Sequence, residues 1–143
     1  MATIRIPQSA ATLLQFCKPW PGRTSNPCFS TYADLMIFAA GLGHSQSARG
    51  PAPSCNAFIE DGQPVPIPFD VFKGSNLGLY PFVLLLSLAS ENSYQTVRDE
   101  ERLARTVENY AAIGFLELAR RLAATTPEEF HVELAQFLVE SSN

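Results

Sequence analysis

Apolar residues recur every three or four positions over much of the chain, and this spacing predicts a mainly helical protein. The first well-marked helix follows Ser30 and Thr31, whose hydroxyls can accept hydrogen bonds from the free N–H groups of a first helical turn. Its apolar side consists of Leu35, Phe38, Ala39 and Leu42. We expect Gly41 and Gly43 to end it, because glycine tolerates the left-handed conformation found at helix C-termini.

The most apolar run, Tyr80–Ala89, predicts a helix at the centre of the core, because it is apolar on all sides. It is about half as long as the ~20 residues that cross a bilayer, so we expect no membrane contact. A longer helical pattern follows from Ser93, and a final helix is expected to begin at the capping residue Thr126. We therefore predict a single, mainly α domain over residues 1–143, with about five or six helices around Tyr80–Ala89.

The interval from His44 to Pro68 is rich in proline and small polar residues and has no helical period. It predicts a long loop, with a short extended piece around residues 64–72. Loops of this length are uncommon within compact domains and are usually functional or mobile. The interval is therefore either a docking place for a partner or a surface excursion without a role.

Composition mainly disfavours certain classes of protein and certain kinds of site. A net charge of −4 over 143 residues disfavours a generally basic nucleic-acid-binding protein, although a local basic face remains compatible with it. The start lacks the apolar stretch of a secretory signal. The three cysteines are odd in number and widely spaced, which disfavours a disulfide framework and paired metal ligands. We expect a cytoplasmic protein with no metal and no cofactor.

Three arginines follow one side of the longest predicted helix at spacings of four and three, namely Arg98, Arg102 and Arg105. Such a row can bind DNA phosphates, because guanidinium groups pair with them bidentately. Acidic neighbours favour instead a solvated, salt-bridged helix face. These neighbours are Asp99, Glu101, Glu108 and Glu117. We expect the arginine row to lie on the outer face and DNA binding to be weak or absent.

Gly114 lies in the middle of the apolar side of the same helix. That side consists of Leu103, Val107, Tyr110 and Leu118. Glycine within a helix costs about 1 kcal/mol relative to alanine, so its presence there calls for a structural reason. We expect another helix to approach closely at this point.

Support for catalysis is thin. His44 and His131 are the only histidines, and a Cys–His pair would require Cys28 or Cys55 to lie near His44. Buried cysteines more often behave as small apolar residues. The sequence GLGHS ends a predicted helix, whereas a phosphate-binding glycine loop would begin one. We therefore predict that the protein is not an enzyme.

The first helix also carries a family resemblance. The stretch FSTYADLMIFAAGLG, Phe29–Gly43, resembles a motif of the DNA phosphorothioation-associated protein 4 family, and IPFDVF, an apolar helix and YAAIG follow in the family's order. The resemblance touches most of residues 27–120. The motif residues, to which we assign structural roles, are Thr31, Tyr32, Asp34, Leu35, Phe38, Gly43, Tyr110 and Gly114.

Proteins of this family are encoded beside bacterial Dnd systems, which replace a backbone phosphate oxygen of DNA with sulfur. The resemblance implies an accessory role in DNA phosphorothioation or its partner restriction system in bacterial defence, with other proteins of the same locus as partners and no known reaction. One departure lies at Ala112 and Ile113, where the family tends to have asparagine and glycine. A DNA-binding module using the arginine row, a small Cys/His enzyme and a homo-oligomer are the alternatives.

Overall fold

The structure, a computed structural model, describes residues 2–17, 19, 29–46, 53–59, 65–74, 79–91, 98–122, 132–136 and 139. The helices are α1 (Tyr32–Gln46), α2 (Phe69–Lys73), α3 (Leu79–Glu91) and α4 (Glu100–Leu122), and residues 132–136 are also helical. Strands β1 (Thr3–Ile4) and β2 (Ile67–Pro68) form a small antiparallel pair, with Thr3 opposite Pro68. The prediction of a mainly α protein is confirmed.

Helix α1 begins directly after Ser30 and Thr31, as predicted from their hydroxyl groups. The backbone N–H of Asp34 donates to Thr31 Oγ1 at 3.1 Å, and the Thr31 hydroxyl donates to Asp34 Oδ2 at 3.0 Å. Thr31 therefore caps the first turn and satisfies an N–H group that has no partner within the helix. The Asp34 carboxylate also lies at the positive end of the helix dipole, where negative charge is favoured.

The predicted end of α1 is wrong. The helix passes through Gly41 and Gly43 and continues to Gln46, so the loop after it begins later than His44. Gly43 lies against the backbone of α4, where a side chain has no room. Close packing against α4 therefore outweighs the low helix propensity of glycine.

The centre of the core lies between α1 and α4, which pack along each other. Both helices contribute fully buried side chains, namely Leu35, Met36, Ala39 and Ala40 from α1, and Leu103, Val107, Tyr110, Phe115 and Leu118 from α4. Ile4 of β1 and Phe69 of α2 join the same core. Burial of these large apolar side chains is the main source of stability for such a fold.

Helix α3 packs against α1 and α4 from one side. The prediction that Tyr80–Ala89 forms a buried central helix is therefore wrong. Val83 and Leu86 are buried, whereas Phe82 and Leu85 are 36% and 64% exposed. An apolar sequence permits burial on every side but does not require it, because folded proteins keep much apolar surface in contact with water. One side of α3 therefore remains apolar and exposed.

The N-terminal segment, residues 2–17, packs against α4 and joins distant parts of the chain. After β1 it forms two short 3₁₀ helices, Gln8–Ala10 and Leu14–Phe16. The Ser9 hydroxyl donates to the carbonyl oxygen of Ala112 at 3.2 Å. The segment therefore belongs to the packed structure of the domain.

Part of the predicted long loop pairs with this N-terminal segment. Ile59 N donates to Ile6 O at 2.8 Å, and Gln8 N donates to Ala57 O at 3.0 Å. The extended piece predicted around residues 64–72 is present in part as β2, whereas Phe69–Lys73 forms helix α2. Residues 47–52 and 60–64 of the loop lie outside the described residues.

The predicted start of the last helix at Thr126 also lies outside the described residues. Further along, Leu134 is partly buried against the core. Within the ranges that the structure describes, no helix combines the length and the apolar character needed to span a membrane.

Candidate functional site

The motif residues of α1 and α4 meet where these two helices touch. A Cβ atom placed on Gly43 would overlap the carbonyl oxygen of Tyr110 and lie 3.0 Å from Gly114 N. A Cβ atom placed on Gly114 would overlap the carbonyl oxygen of Ala39. The two backbones are therefore in direct contact, and only glycine fits either position. The close approach predicted at Gly114 is confirmed.

The remaining motif residues of α1 occupy cap and core positions. Leu35 is buried, and the ring of Phe38 lies 5.6 Å from that of Phe29 between centroids. Tyr32 is partly buried, and its pKa is raised because burial disfavours the charged phenolate. These positions support the structural roles assigned to the motif.

One charged side chain of α4, that of Glu108, is fully buried. Its Oε2 accepts hydrogen bonds from the backbone N and the Nε of Arg5 at 2.7 and 3.1 Å, and its Oε1 accepts one from Arg5 Nη2 at 2.9 Å. Arg105 Nη2 lies 3.2 Å from Oε2. We call Arg5, Arg105 and Glu108 the buried-carboxylate cluster. The direct hydrogen bond from the Arg5 side chain to Glu108 raises the pKa of Arg5.

The interpretation of Glu108 as a residue on a solvated face is wrong. Glu108 lies at spacings of four, three and seven from the fully buried residues Ala104, Ala111 and Phe115. At 100° per residue these positions share one side of the helix, so the spacing contained a signal of burial. A buried carboxylate needs a cationic partner, but Arg5 lies 103 positions away and local spacing cannot identify it.

The structure also separates the three predicted arginines. Arg105 Nη2 donates to the carbonyl oxygen of Thr3 at 2.7 Å, so this side chain is directed towards the N-terminal segment and Glu108. Arg102 is exposed on α4, and Arg98 is exposed before α4 begins. The three therefore do not share one outer face, because a buried carboxylate and a carbonyl oxygen attract the Arg105 guanidinium. Arg105 Nη2 also lies 4.0 Å from Oε2 of Glu101, one of the acidic neighbours, as an i,i+4 ion pair.

Helix α4 carries no net charge. Its acids and arginines are equal in number, namely Glu100, Glu101, Glu108 and Glu117 against Arg102, Arg105, Arg120 and Arg121. Non-specific DNA binding depends on an excess of cations facing the phosphates. The mixed charge favours a salt-bridged surface, and DNA contact by Arg98, Arg102 and Arg105 stays an untested alternative.

Arg105 and Arg102 should differ in their contribution to stability. We expect Arg105→Ala to lower the free energy of unfolding by about 1–3 kcal/mol, because it removes an ion pair with a buried carboxylate and a hydrogen bond to a carbonyl oxygen. Arg102→Ala, at an exposed position, should change it by no more than about 0.5 kcal/mol. Urea titrations followed by circular dichroism measure both values. Equal stability of the two variants would contradict the structural role of Arg105.

The wild-type protein and a double variant at Arg98 and Arg102 test the DNA-binding alternative. We expect weak or no binding of the wild-type protein to a fluorescent duplex at about 0.15 M salt, where the Debye length is about 8 Å. Tight binding that weakens with salt, and that a double replacement of Arg98 and Arg102 by alanine abolishes, would instead support a phosphate-binding surface.

Cys55 and His44 do not form the Cys–His pair that catalysis would require. Cys55 Sγ donates to Ala57 O at 3.5 Å, while the His44 ring meets that of Tyr110 edge-on at 5.2 Å between centroids. Cys28 and His131 lie outside the described residues. Where the structure describes the chain, no three His, Cys, Asp or Glu side chains come together to hold a metal ion.

A groove lies between the C-terminal half of α1 and the exposed side of α3. It has a volume of about 290 Å³ and is lined by Gly41, His44, Phe82, Leu85, Leu86 and Ala89. Apart from His44, the lining side chains carry no hydrogen-bonding group. We call this cavity the α1–α3 groove. Its chemistry suits contact with apolar groups and provides no constellation for catalysis.

Comparison with known proteins decides the family. The model of the family described as DNA sulphur modification system-associated protein 4 matches residues 3–143, nearly the whole chain. The chain belongs to this family. Membership confirms the resemblance seen in the first motif. It also associates the protein with a DNA sulphur modification system. No curated protein and no solved structure matches the chain.

Proposed function

We propose that the protein is a non-catalytic, cytoplasmic accessory protein of a bacterial DNA phosphorothioation modification and restriction system. It acts by binding another protein encoded in the same locus. Family membership supports the association with the system. The observation that carries the mode of action is the exposed apolar surface of α3 beside the α1–α3 groove.

This surface differs from the rest of the molecule in charge. Between Leu79 and Ser90, α3 contains no acidic or basic residue, and α1 contains only His44 after Asp34. The charged residues of the chain, whose net charge is −4, are therefore concentrated on other parts of the molecule. Apolar surface that is exposed and contiguous commonly marks a protein–protein contact. We therefore assign the partner-binding role to the face formed by α1 and α3.

The ionisable groups of α4 support a non-catalytic role. Glu108, the buried carboxylate, is fully engaged by Arg5 and Arg105 and holds the N-terminal segment in place. Catalytic carboxylates, by contrast, face a cleft where substrate can reach them. The cluster therefore serves the fold.

The proposal predicts that an affinity-tagged protein, expressed in a host carrying the complete locus, captures a protein encoded there. Leu85→Asp should reduce the capture by more than tenfold, because a charge would be buried without a partner in an apolar contact. Quantitative mass spectrometry of the captured material measures the effect. Since Leu85 is 64% exposed, the free energy of unfolding should change by no more than about 0.5 kcal/mol.

Val71→Asp is the matched control. Val71 is also an exposed apolar residue, but it lies on α2 and does not line the groove. It should leave capture unchanged. Failure of the wild-type protein to capture any protein of the locus would count against the proposed function itself.

A further inference from the structure

We infer that residues 55–59 of the long loop form a clasp, which must open before the N-terminal segment can leave α4. The closed clasp is bonded to the N-terminal segment and to α4, and it couples the loop to both. The interval after α1 then has a role that neither a docking place nor a surface excursion describes. These residues do not line the α1–α3 groove, so the clasp does not depend on the proposed function.

Backbone hydrogen bonds pair the clasp with the N-terminal segment. Gln8 N donates to Ala57 O at 3.0 Å, and Ile59 N donates to Ile6 O at 2.8 Å. The donors lie on opposite sides of the pairing, so both bonds break when the clasp moves away. The amides of Gln8 and Ile59 should therefore exchange with solvent through the same opening.

Side chains add contacts on both sides of the clasp. The backbone N–H of Cys55 donates to Asn109 Oδ1 of α4 at 2.8 Å. The Phe58 ring lies 3.8 Å from the guanidinium carbon of Arg5, at a distance where the face of an aromatic ring attracts a cation. Arg5 in turn binds Glu108. Adjacent residues of α4, Glu108 and Asn109, thus hold the N-terminal segment and the clasp.

Unequal burial sets the order of opening. Asn56 and Ala57 are exposed and Phe58 is half-buried, whereas Ile4 and Ile6 of the N-terminal segment are 0% and 3% exposed. Segments with few buried apolar contacts and exposed backbone hydrogen bonds open at low free energy. The N-terminal segment, by contrast, cannot leave α4 while the clasp is bonded to both. The clasp therefore opens first.

Residue-resolved amide hydrogen exchange in the full-length native protein tests this order. In the wild type, the Gln8 and Ile59 amides should exchange faster than the Arg5 amide, which donates to the buried carboxylate. Asn109→Ala removes the bond between clasp and α4. All three amides should then exchange about tenfold faster, because opening at Arg5 includes opening of the clasp. The Phe115 amide, within α4, should keep its rate.

Glu108→Gln gives the reverse test. It weakens the attachment of the N-terminal segment but leaves the contacts of the clasp with Asn109 in place. The Arg5 amide should therefore exchange faster, while the Gln8 and Ile59 amides keep their wild-type rates. This asymmetry is expected only if the clasp opens first.

The Phe58 ring is tested by a conservative pair of variants. Phe58→Leu keeps an apolar side chain but removes the ring, and we expect about threefold faster exchange at Gln8 and Ile59. Phe58→Tyr, which keeps the ring, should retain the wild-type rates. Ser45→Ala is the matched control for Asn109→Ala, because it removes a side-chain hydrogen bond to Leu42 O on α1. It should leave both amides unchanged.

Three results would overturn the clasp. An Arg5 amide that keeps its wild-type rate in Asn109→Ala would show that the N-terminal segment opens independently. Equal acceleration of every amide in that variant, Phe115 included, would show that only global unfolding is affected. Equal acceleration at Arg5, Gln8 and Ile59 in the Glu108→Gln protein would show one unit that opens in a single step.

Discussion

Replacing Gly114 with alanine is expected to lower the free energy of unfolding by more than about 3 kcal/mol, or to prevent folding. The added Cβ would overlap the carbonyl oxygen of Ala39, which belongs to the backbone of α1 and cannot rotate away. The two central helices would have to separate, and the packing of the buried side chains that they contribute to the core would loosen. Urea denaturation followed by circular dichroism measures the loss, and soluble yield reports a variant that fails to fold.

Gly41→Ala is the matched control for this prediction. Gly41 is also a helical glycine, but its added Cβ would meet only the end of the movable Phe82 side chain, at 3.0 Å. A gain in helix propensity of about 1 kcal/mol opposes the cost of moving that ring. We therefore expect a net change within about 1 kcal/mol. Similar losses in Gly114→Ala and Gly41→Ala would show that contact between backbones is not what makes Gly114 necessary.

Glu108→Gln is expected to lower the free energy of unfolding by about 2–4 kcal/mol. Removing one member of a buried ion pair typically costs about 3–5 kcal/mol, because the opposite charge loses its partner. The expected value is smaller here, since Arg5 and Arg105 remain 39% and 37% exposed and water can solvate them in part. Chemical denaturation gives the value. Hydrogen exchange at the Arg5 amide, which donates to Glu108, should show faster local opening.

Glu117→Gln is the control for this second prediction. Glu117 lies on the same helix and pairs with Arg120 at 2.6 Å, but the Arg120 side chain is largely exposed. Such pairs contribute about 0–1 kcal/mol. If Glu108→Gln and Glu117→Gln had equal effects, the buried carboxylate would not be a main support of the N-terminal segment.

Local chemistry made some features of the fold predictable. The hydroxyl of Thr31 and the carboxylate of Asp34 mark the start of α1 because capping acts within one turn. Gly114 was recognisable as a contact point because a glycine on the apolar side of a helix weakens that helix unless close packing compensates for the loss. In both cases the cause lies within a few residues of its effect.

Other features depend on neighbours that the sequence does not reveal. Gly43 resembles a helix stop until α4 is placed against it. Tyr80–Ala89 is apolar enough for a central helix, yet only the position of α1 and α4 determines that one side of it faces solvent. The α1–α3 groove could not be predicted for the same reason, since its two walls come from helices separated in sequence.

The contact of Arg5 with Glu108 has a consequence for synthesis on the ribosome. These residues are 103 positions apart, and translation at about 5–20 residues per second separates their appearance by roughly 5–20 s. During that interval the N-terminal segment lacks α4, the helix on which it packs. Bringing Arg5 and Glu108 together also closes a long loop of chain, which costs conformational entropy. Thr3 and Arg5 are therefore made early but reach their final positions late. Cotranslational chaperones would have this interval in which to protect Ile4 and Ile6, which are buried in the folded protein.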